Sequence, residues 1–561
     1  MGEPITVDGA GLASWSAPLE RLYRRCFAEP PWHEDEADFA AFADKFAAHT
    51  ARSDVRGIVV PQGDGLAGVV YGWPSPDEVP DTPFYAGVYD AVAPADHSLL
   101  GPPSWQVVEL MVDPSARGQG LGRRLLARFV EGHDLAWLCT HPDSAARRLY
   151  ESAGWVGVGE YADESGAPVL VMSRRGYPMS RVPGFDPPAS LRSRCPVTTV
   201  SLRHGQRASL LTSYGDVRAV LRDHGRFSSD PSSPGYPQLR PVVDRKPAPG
   251  SFLVTDPPEH TRYRRLLTGE FTVRRMEKLR PSIERITRTH LDSLLGSASP
   301  DLVADFALPI PSDVICLLLG VPVSDRAFFS SRSRAHHDRT LSADAVQAAL
   351  DELHSYIEEL VRSRVRSPGD DLISRLAAEL TVDEVVGMTV LLLVGGHETT
   401  ANSIALSVLA LQESGEWDAL VADPSLVDSA VEELLRYLSP VHQGVVRAVT
   451  GDAVVSGESL APGDGVVASL FAANRDPSVY PSPDSLDIRR RARGHLAFGD
   501  GVHQCIGQTL ARMEMRVALQ ALVERAPSLR IAVPFSSVSF RFNAPIYGLH
   551  ALPVTFSAPR P

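Results

Sequence analysis

The apolar positions of this chain follow two regimes that change near residue 175. Ahead of that point helix and strand signals alternate. Leu19, Leu22, Tyr23 and Phe27 recur at helical spacing across Ala17–Phe27. Gly57–Val60 and Gly65–Tyr71 flank a Gln-Gly-Asp-Gly turn, which predicts a hairpin. Val107–Val112 is a nearly continuous apolar run, as a central strand requires. After a turn at Asp113-Pro114, the segment Arg117-Gly118-Gln119-Gly120-Leu121-Gly122 opens a helix through Val130. Beyond residue 196 the pattern is mainly helical, with short strands near 197–212, 443–470 and 529–556. The longest helical segment runs from about Val382 to Glu413, and its apolar stretch Val385–Val394 is too short to span a bilayer. Between the regimes, Arg174 to Pro196 carries Pro178, Pro183, Pro187, Pro188 and Pro196, the composition of an extended, semi-rigid connector. The expected organisation is an N-terminal domain at 1–175, a linker at 176–195 and a C-terminal domain at 196–561.

Composition narrows the function classes. A chain of 561 residues exceeds what one hydrophobic core supports, and 43% hydrophobic residues suit a globular protein. The net charge of −13 disfavours a nucleic-acid partner. Cys26, Cys139, Cys195, Cys316 and Cys505 are scattered with no C-x-x-C pair, which argues for a reducing, cytoplasmic setting rather than a disulfide framework. Residues 1–12 lack the basic start and apolar core of a signal peptide, so neither export nor a membrane partner is expected.

The densest chemical signal is Phe498-Gly499-Asp500-Gly501-Val502-His503-Gln504-Cys505-Ile506-Gly507, a glycine-lined turn that ends on a cysteine before a helix from Gln508 to about Glu524. Gly499 and Gly501 let backbone approach the sulfur, so amides can tune its charge. Gly507 allows the helix to pack close, Phe498 can shield the sulfur, and His503 sits two residues before it. This pattern resembles the haem loop of the cytochrome P-450 monooxygenases. The resemblance implies a mainly helical fold with small sheets, haem b as cofactor and Cys505 as thiolate ligand to its iron, which favours O–O cleavage.

Further segments carry the resemblance from Cys195 to Phe556. A helix opening at Asp256-Pro257-Pro258 places His260 and Arg264 on one face, where the family binds haem propionates; Arg447 and His503 are implied partners of the same groups. Val390 to Ala401, with Gly395, Gly396, Glu398 and Thr399, resembles the helix over the haem. Glycine costs about 1 kcal/mol relative to alanine in a helix, so two together imply a close neighbour, here haem and O2. Glu398 and Thr399 are the implied proton relay, with Thr399 releasing a main-chain hydrogen bond to hold a water. Glu433 and Arg436 form E-x-x-R, a buried scaffold pair implied to be joined by an Arg from Asn474-Arg475-Asp476-Pro477. The substrate pocket is implied near 228–255, 325–345, Leu391, Val394, Gln443 and 543–547, with His336-His337 in its roof. Several phrases are similar to soluble actinobacterial members, which implies a ferredoxin and a ferredoxin reductase as electron donors. Arg489-Arg490-Arg491-Ala492-Arg493 offers a basic docking patch or a solvated turn.

The first domain has its own signature. Arg117–Gly122 follows a strand and opens a helix, so its backbone N–H groups form a ready anion site. With Ala146-Arg147-Arg148-Leu149-Tyr150-Glu151-Ser152-Ala153-Gly154-Trp155, it resembles the GNAT acetyltransferase superfamily, which implies an α/β mixed sheet with helices and acetyl-CoA as cosubstrate. Tyr150 would protonate the departing thiolate, or is a packed core tyrosine. Glu109 would be the general base, or a structural carboxylate. Asp143 stands where the family usually has Asn. The expected activity joins insertion of one oxygen atom from O2 into a small organic molecule with CoA-dependent N-acylation; the alternative makes the first domain a non-catalytic binding or docking module.

Overall fold

The computed structural model describes residues 3–556 apart from 29, 33, 93–96, 98, 103, 131–132, 134, 154, 176–183, 188–190, 192–196, 203–205, 240–245, 338–342 and 542–543. Cys195, Gly154 and most of the expected linker fall outside these residues, as do the side chains of His336 and His337. The chain divides near residue 178 into two units, and the described residues Gly184–Pro187 group with the second.

The first unit is a mixed sheet with helices, its seven described strands in the order β1-β2-β3-β4-β5-β7-β6. They are Ile5–Val7 (β1), Arg56–Gln62 (β2), Gly65–Pro74 (β3), Trp105–Val112 (β4), Leu135–Thr140 (β5), Val156–Ala162 (β6) and Pro168–Arg175 (β7). The hairpin β2–β3 runs from Arg56↔Gly72 to Gln62↔Gly65, so the Gln-Gly-Asp-Gly turn lies where the sequence puts it. β4 and β5 are parallel but pair only at Trp105↔Ala136 and Gln106↔Trp137. They therefore part toward the end of β4 that carries Arg117–Gly122. The pairing of β4 with β3 shifts between Tyr71 and Gly72, a bulge that re-aims the side chains beside Glu109. The helix Leu121–Phe129 buries Leu121, Leu125, Leu126 and Phe129 against the sheet with Val107 and Tyr150.

The second unit is mainly helical around Val382–Glu413, a helix so enclosed that most of its circumference is apolar and buried. Thr381 and Glu384 close a capping box at its start, so both side chain and backbone donors of the first turn are satisfied. Two core clusters meet on it. One takes Ile404 to Leu411 with the Val427–Leu438 and Gln508–Arg525 helices; the other takes Val385 to Leu393 with Pro309–Leu319 and Ala343–Arg366. Small sheets flank the helices: Phe227–Ser228, Val445–Val449, Gly465–Ala468, Arg207–Leu211 and Val197–Ser201 form one, and Leu529–Ile531 pairs with Val554–Phe556. No helix of the described residues is long and apolar enough to cross a membrane.

Candidate functional site

The Cys505 loop is set by backbone geometry. Gly499 and Gly501 have φ of 68° and 73°, values natural to glycine, and the Cys505 N–H donates to the Phe498 carbonyl at 2.9 Å. Cys505 is exposed, although protein atoms crowd its thiol. Burial raises its pKa, while amides of Gly507 and Gln508 and the cations of Arg264 and Arg512 act the other way. The amides that lower it belong to the helix start after the cysteine. Gly501 is needed for a steric reason: a Cβ there would lie 2.3 Å from the Leu221 carbonyl oxygen. A Cβ on Gly507 would lie 4.0 Å from Cys505 Sγ. Phe498 is held by the Arg512 guanidinium 4.5 Å above its ring.

Beside the thiol lies a buried cluster of bases. His260 is 2% exposed and Arg447 5%; the His260 and His503 rings are 4.3 Å apart. The Gln504 carbonyl accepts from Arg264, and the Val446 carbonyl accepts from Arg447 at 2.7 Å. Neither ring nitrogen of His260 makes a hydrogen bond of normal geometry, and Nε2 of His503 has none. Burial, then Arg447, His260 and Arg264, push His503 down to about 3; burial and Arg264 also lower His260. Two guanidiniums and two imidazoles, with Asp256 and Tyr236 among the few groups that offset them, are a group able to receive a multiply charged anion. With an accessible thiol adjacent, these residues fit haem and its propionates.

The two glycines of the Val382–Glu413 helix differ in their surroundings. A Cβ on Gly395 would meet nothing within 4 Å, so this glycine faces open space; a Cβ on Gly396 would lie 2.9 Å from Ile315 Cδ1. Gly396 therefore admits the Pro309–Leu319 helix at close range. The helix is continuous here, and Thr399 Oγ1 donates back to the Gly395 carbonyl at 2.8 Å. Glu398 is 1% exposed, and its Oε2 lies 3.5 Å from a guanidinium nitrogen of Arg541. Sequence reasoning missed Arg541, whose approach depends on the return of a distant loop.

A correction concerns the scaffold pair. Glu433 and Arg436 are fully buried and bidentate, with both bonds at 2.7 Å. The Asn474 carbonyl accepts from Arg436 at 2.8 Å, but the Arg that joins Glu433 is Arg490, at 3.0 Å. Arg475 instead donates to carbonyls of Tyr437 and Phe185. Arg490 is consequently lost from the basic run, which leaves Arg489, Arg491 and Arg493 exposed. Gln443 is buried, and its neighbour His442 reaches the Ala544 carbonyl at 2.6 Å.

In the first unit, Gly118 and Gly120 take φ of 76° and 73°, and Gly120 caps the Leu121–Phe129 helix. The turn presents helix-start amides beyond β4. The Gln119 carbonyl accepts from Arg124, and a Cβ on Gly122 would crowd Leu149 at 3.1 Å. Arg117 is exposed and donates to the Val112 carbonyl at 3.3 Å. Glu109, with its side chain 11% exposed, faces Lys45 at 3.6 Å; burial raises its pKa and Lys45 opposes the rise. Burial and then Glu109 raise Tyr150 well above the ordinary phenol range, so its hydroxyl is neutral and able to donate. Tyr23 and Glu34, bonded at 2.9 Å, also border Glu109.

With this geometry in place, the comparisons are decisive at the family level. The Cytochrome P450 family model matches residues 417–526, and the Acetyltransferase (GNAT) family model matches residues 17–155. Cytochrome P450-SU2 of Streptomyces griseolus is 46% identical over 392 residues, 68% of this chain and 96% of the relative. Vitamin D3 dihydroxylase of the same organism is 42% identical, covering 64% of this chain and 91% of its own. The crystal structure of CYP105P1 in complex with filipin I matches at a TM-score of 0.64 with 41% identity, over 68% of this chain and 98% of that one. The chain belongs to the cytochrome P450 monooxygenase family, and it carries a GNAT domain ahead of the P450 fold.

Proposed function

We propose that this chain is a haem-thiolate monooxygenase acting on a lipophilic organic molecule, joined to a CoA-dependent N-acyltransferase. The observation that carries the first half is the accessible Cys505 thiol beside the buried His260, Arg264, Arg447 and His503 cluster. Haem, when bound, supplies the activation of O2 that lets one oxygen atom enter a C–H bond. The chain's part is to hold and protect it. Gly507 and Gln508 amides stabilise the thiolate, Phe498 screens it, and the basic cluster neutralises the propionates. Gly395 leaves open space beside the Val382–Glu413 helix. Thr399 can accept a hydrogen bond from a water while its own proton stays on Gly395, and Glu398, held by Arg541, is the acid able to resupply protons. Exposed Arg489, Arg491 and Arg493 suit docking of an acidic ferredoxin, itself reduced by a ferredoxin reductase. The names vitamin D3 dihydroxylase and the filipin I complex favour a bulky lipophilic substrate.

For the first unit, the parted β4 and β5 beside the Arg117–Gly122 turn support acetyl-CoA binding. The acceptor nitrogen attacks the thioester carbonyl, Glu109 takes the amine proton, the C–S bond breaks, and Tyr150 gives its proton to the departing sulfur. The test is twofold. Reduced protein with carbon monoxide should show the red-shifted Soret band of a thiolate-bound haem, and Cys505→Ala should abolish it. Calorimetric titration should give acetyl-CoA binding; its absence at millimolar ligand sinks the acyltransferase half while leaving the monooxygenase intact.

A further inference from the structure

The described end of the linker is fastened to the second unit at three points. The Tyr547 hydroxyl accepts the Gly184 N–H at 2.9 Å and donates to the Gly184 carbonyl at 2.7 Å. Arg475 donates to the Phe185 carbonyl at 3.0 Å, and its other terminal nitrogen lies 3.2 Å from Asp186 Oδ1. The Phe185 ring packs near Tyr437 and Phe535, with centroids at 6.0 and 5.6 Å. The receiving groups are themselves fixed. Tyr547 is fully buried. The Arg475 side chain is 1% exposed, donates to the Tyr437 carbonyl and lies 3.8 Å over that residue's ring. A buried guanidinium that spends two of its donors on a chain-entry segment is poorly explained by the E-x-x-R scaffold, from which Arg490 excludes it.

Tyr547 also holds the loop of residues 439–444. Its N–H donates to the Pro440 carbonyl at 2.8 Å, Val441 and Ile546 form a bridge, and the His442 ring lies 5.5 Å from the Tyr547 ring. One side chain and its own backbone thus tie Gly184 to the loop that carries Gln443. The side chain makes the first attachment and the backbone of the same residue the second, in a close-packed site where small shifts are not absorbed locally.

We infer that Gly184–Asp186, at the N-terminal edge of the second unit, is a clip that positions the 439–444 loop. The inference rests on reading that loop as part of the monooxygenase pocket. Gly184, Phe185 and Asp186 are positioning residues that act through Tyr547 and Arg475.

The test uses the full chain and two variants. Tyr547→Phe removes only the hydroxyl, and Asp186→Ala only an exposed carboxylate. Hydrogen exchange is followed by mass spectrometry in peptides covering 179–190 and 439–447, with haem content as a check. Imidazole and phenylimidazole, one reaching only the iron and the other filling space above it, are titrated by their spectral shifts. Tyr547→Phe should speed exchange in both peptides and weaken phenylimidazole about three- to tenfold, the factor carried by one ordinary hydrogen bond, with imidazole affinity and haem content unchanged. Asp186→Ala should move the same readouts in the same direction by less. Faster exchange in 179–190 alone, or equal weakening of both imidazoles, overturns the clip. A parent protein that gives no imidazole spectrum refutes the haem reading, and the exchange data then still decide whether linker and loop are coupled.

Discussion

On the function proposed above, the two units would bind an anion by opposite means. In the first, Arg117–Gly122 presents backbone amides at a helix start, shaped by Gly118 and Gly120 at positive φ. In the second, two guanidiniums and two imidazoles converge from the Glu259–Thr268 helix, a strand and the cysteine loop, buried where each alone is destabilising. The first solution is cheap and open to solvent. The second is costly without its ligand and therefore selects strongly for it. A site made of backbone tolerates side-chain loss, whereas a site made of buried side chains does not.

The largest effect should come from the buried cluster. His260→Ala with Arg447→Ala removes two charge-assisted contacts worth about 1.5–3 kcal/mol each, so haem should pass to an apo-globin acceptor a hundredfold faster or more. Acetyl-CoA affinity should not change. Undiminished haem retention would break the comparison at its stronger end.

Acid separates the units next. Burial alone would raise Glu384 and Glu432, but hydrogen bonds from Arg262 and Thr381 hold the first at about 2, and His495 and Arg512 hold the second at about 2. Their folded values lie below the unfolded 4.5, so the stability they contribute is complete above pH 4.5 and lost as pH falls toward 2. Glu109 has the opposite sign: its folded value is raised, so its contribution is present below 4.5 and fades as pH rises through that raised value. Exchange in peptides of the second unit should accelerate first on acidification; simultaneous acceleration in the first unit would remove the distinction.

What the sequence made legible follows the same division. Local features were readable from residues themselves: the β2–β3 hairpin, the β4 strand, the glycine turn before Leu121 and the cysteine loop all depend on neighbours within ten or so positions. Features that need distant segments were readable only through resemblance, and there the details slipped. Arg490 rather than Arg475 completes the Glu433 pair, because which guanidinium reaches a buried carboxylate is decided by the path of the 481–493 loop. Gly396 answers to Ile315 and Gly501 to Leu221, contacts that adjacent sequence does not encode. Arg541 reaches Glu398 from far downstream with no spacing rule to announce it.

The backbone site gives smaller and more graded effects. Gly120→Ala places a side chain at φ 73°, which costs about 1–2 kcal/mol and should weaken acetyl-CoA about tenfold in calorimetric titration, with the haem spectrum unaltered. Because a Cβ at Gly120 meets no atom closer than 3.8 Å, the loss would report backbone strain and not a clash.

Arg117→Ala should do least, and that is the sharper test. Its side chain is exposed and already donates to the Val112 carbonyl, so it is held along the strand end instead of being free to clamp a pyrophosphate. An exposed cation near a phosphate contributes about 0.2–1 kcal/mol, less with salt, so acetyl-CoA should weaken no more than about fivefold at physiological ionic strength. A loss approaching that of Gly120→Ala would mean that a side chain, not the amides, carries the anion. The two units would then bind charge by the same means, with burial as the only difference between them.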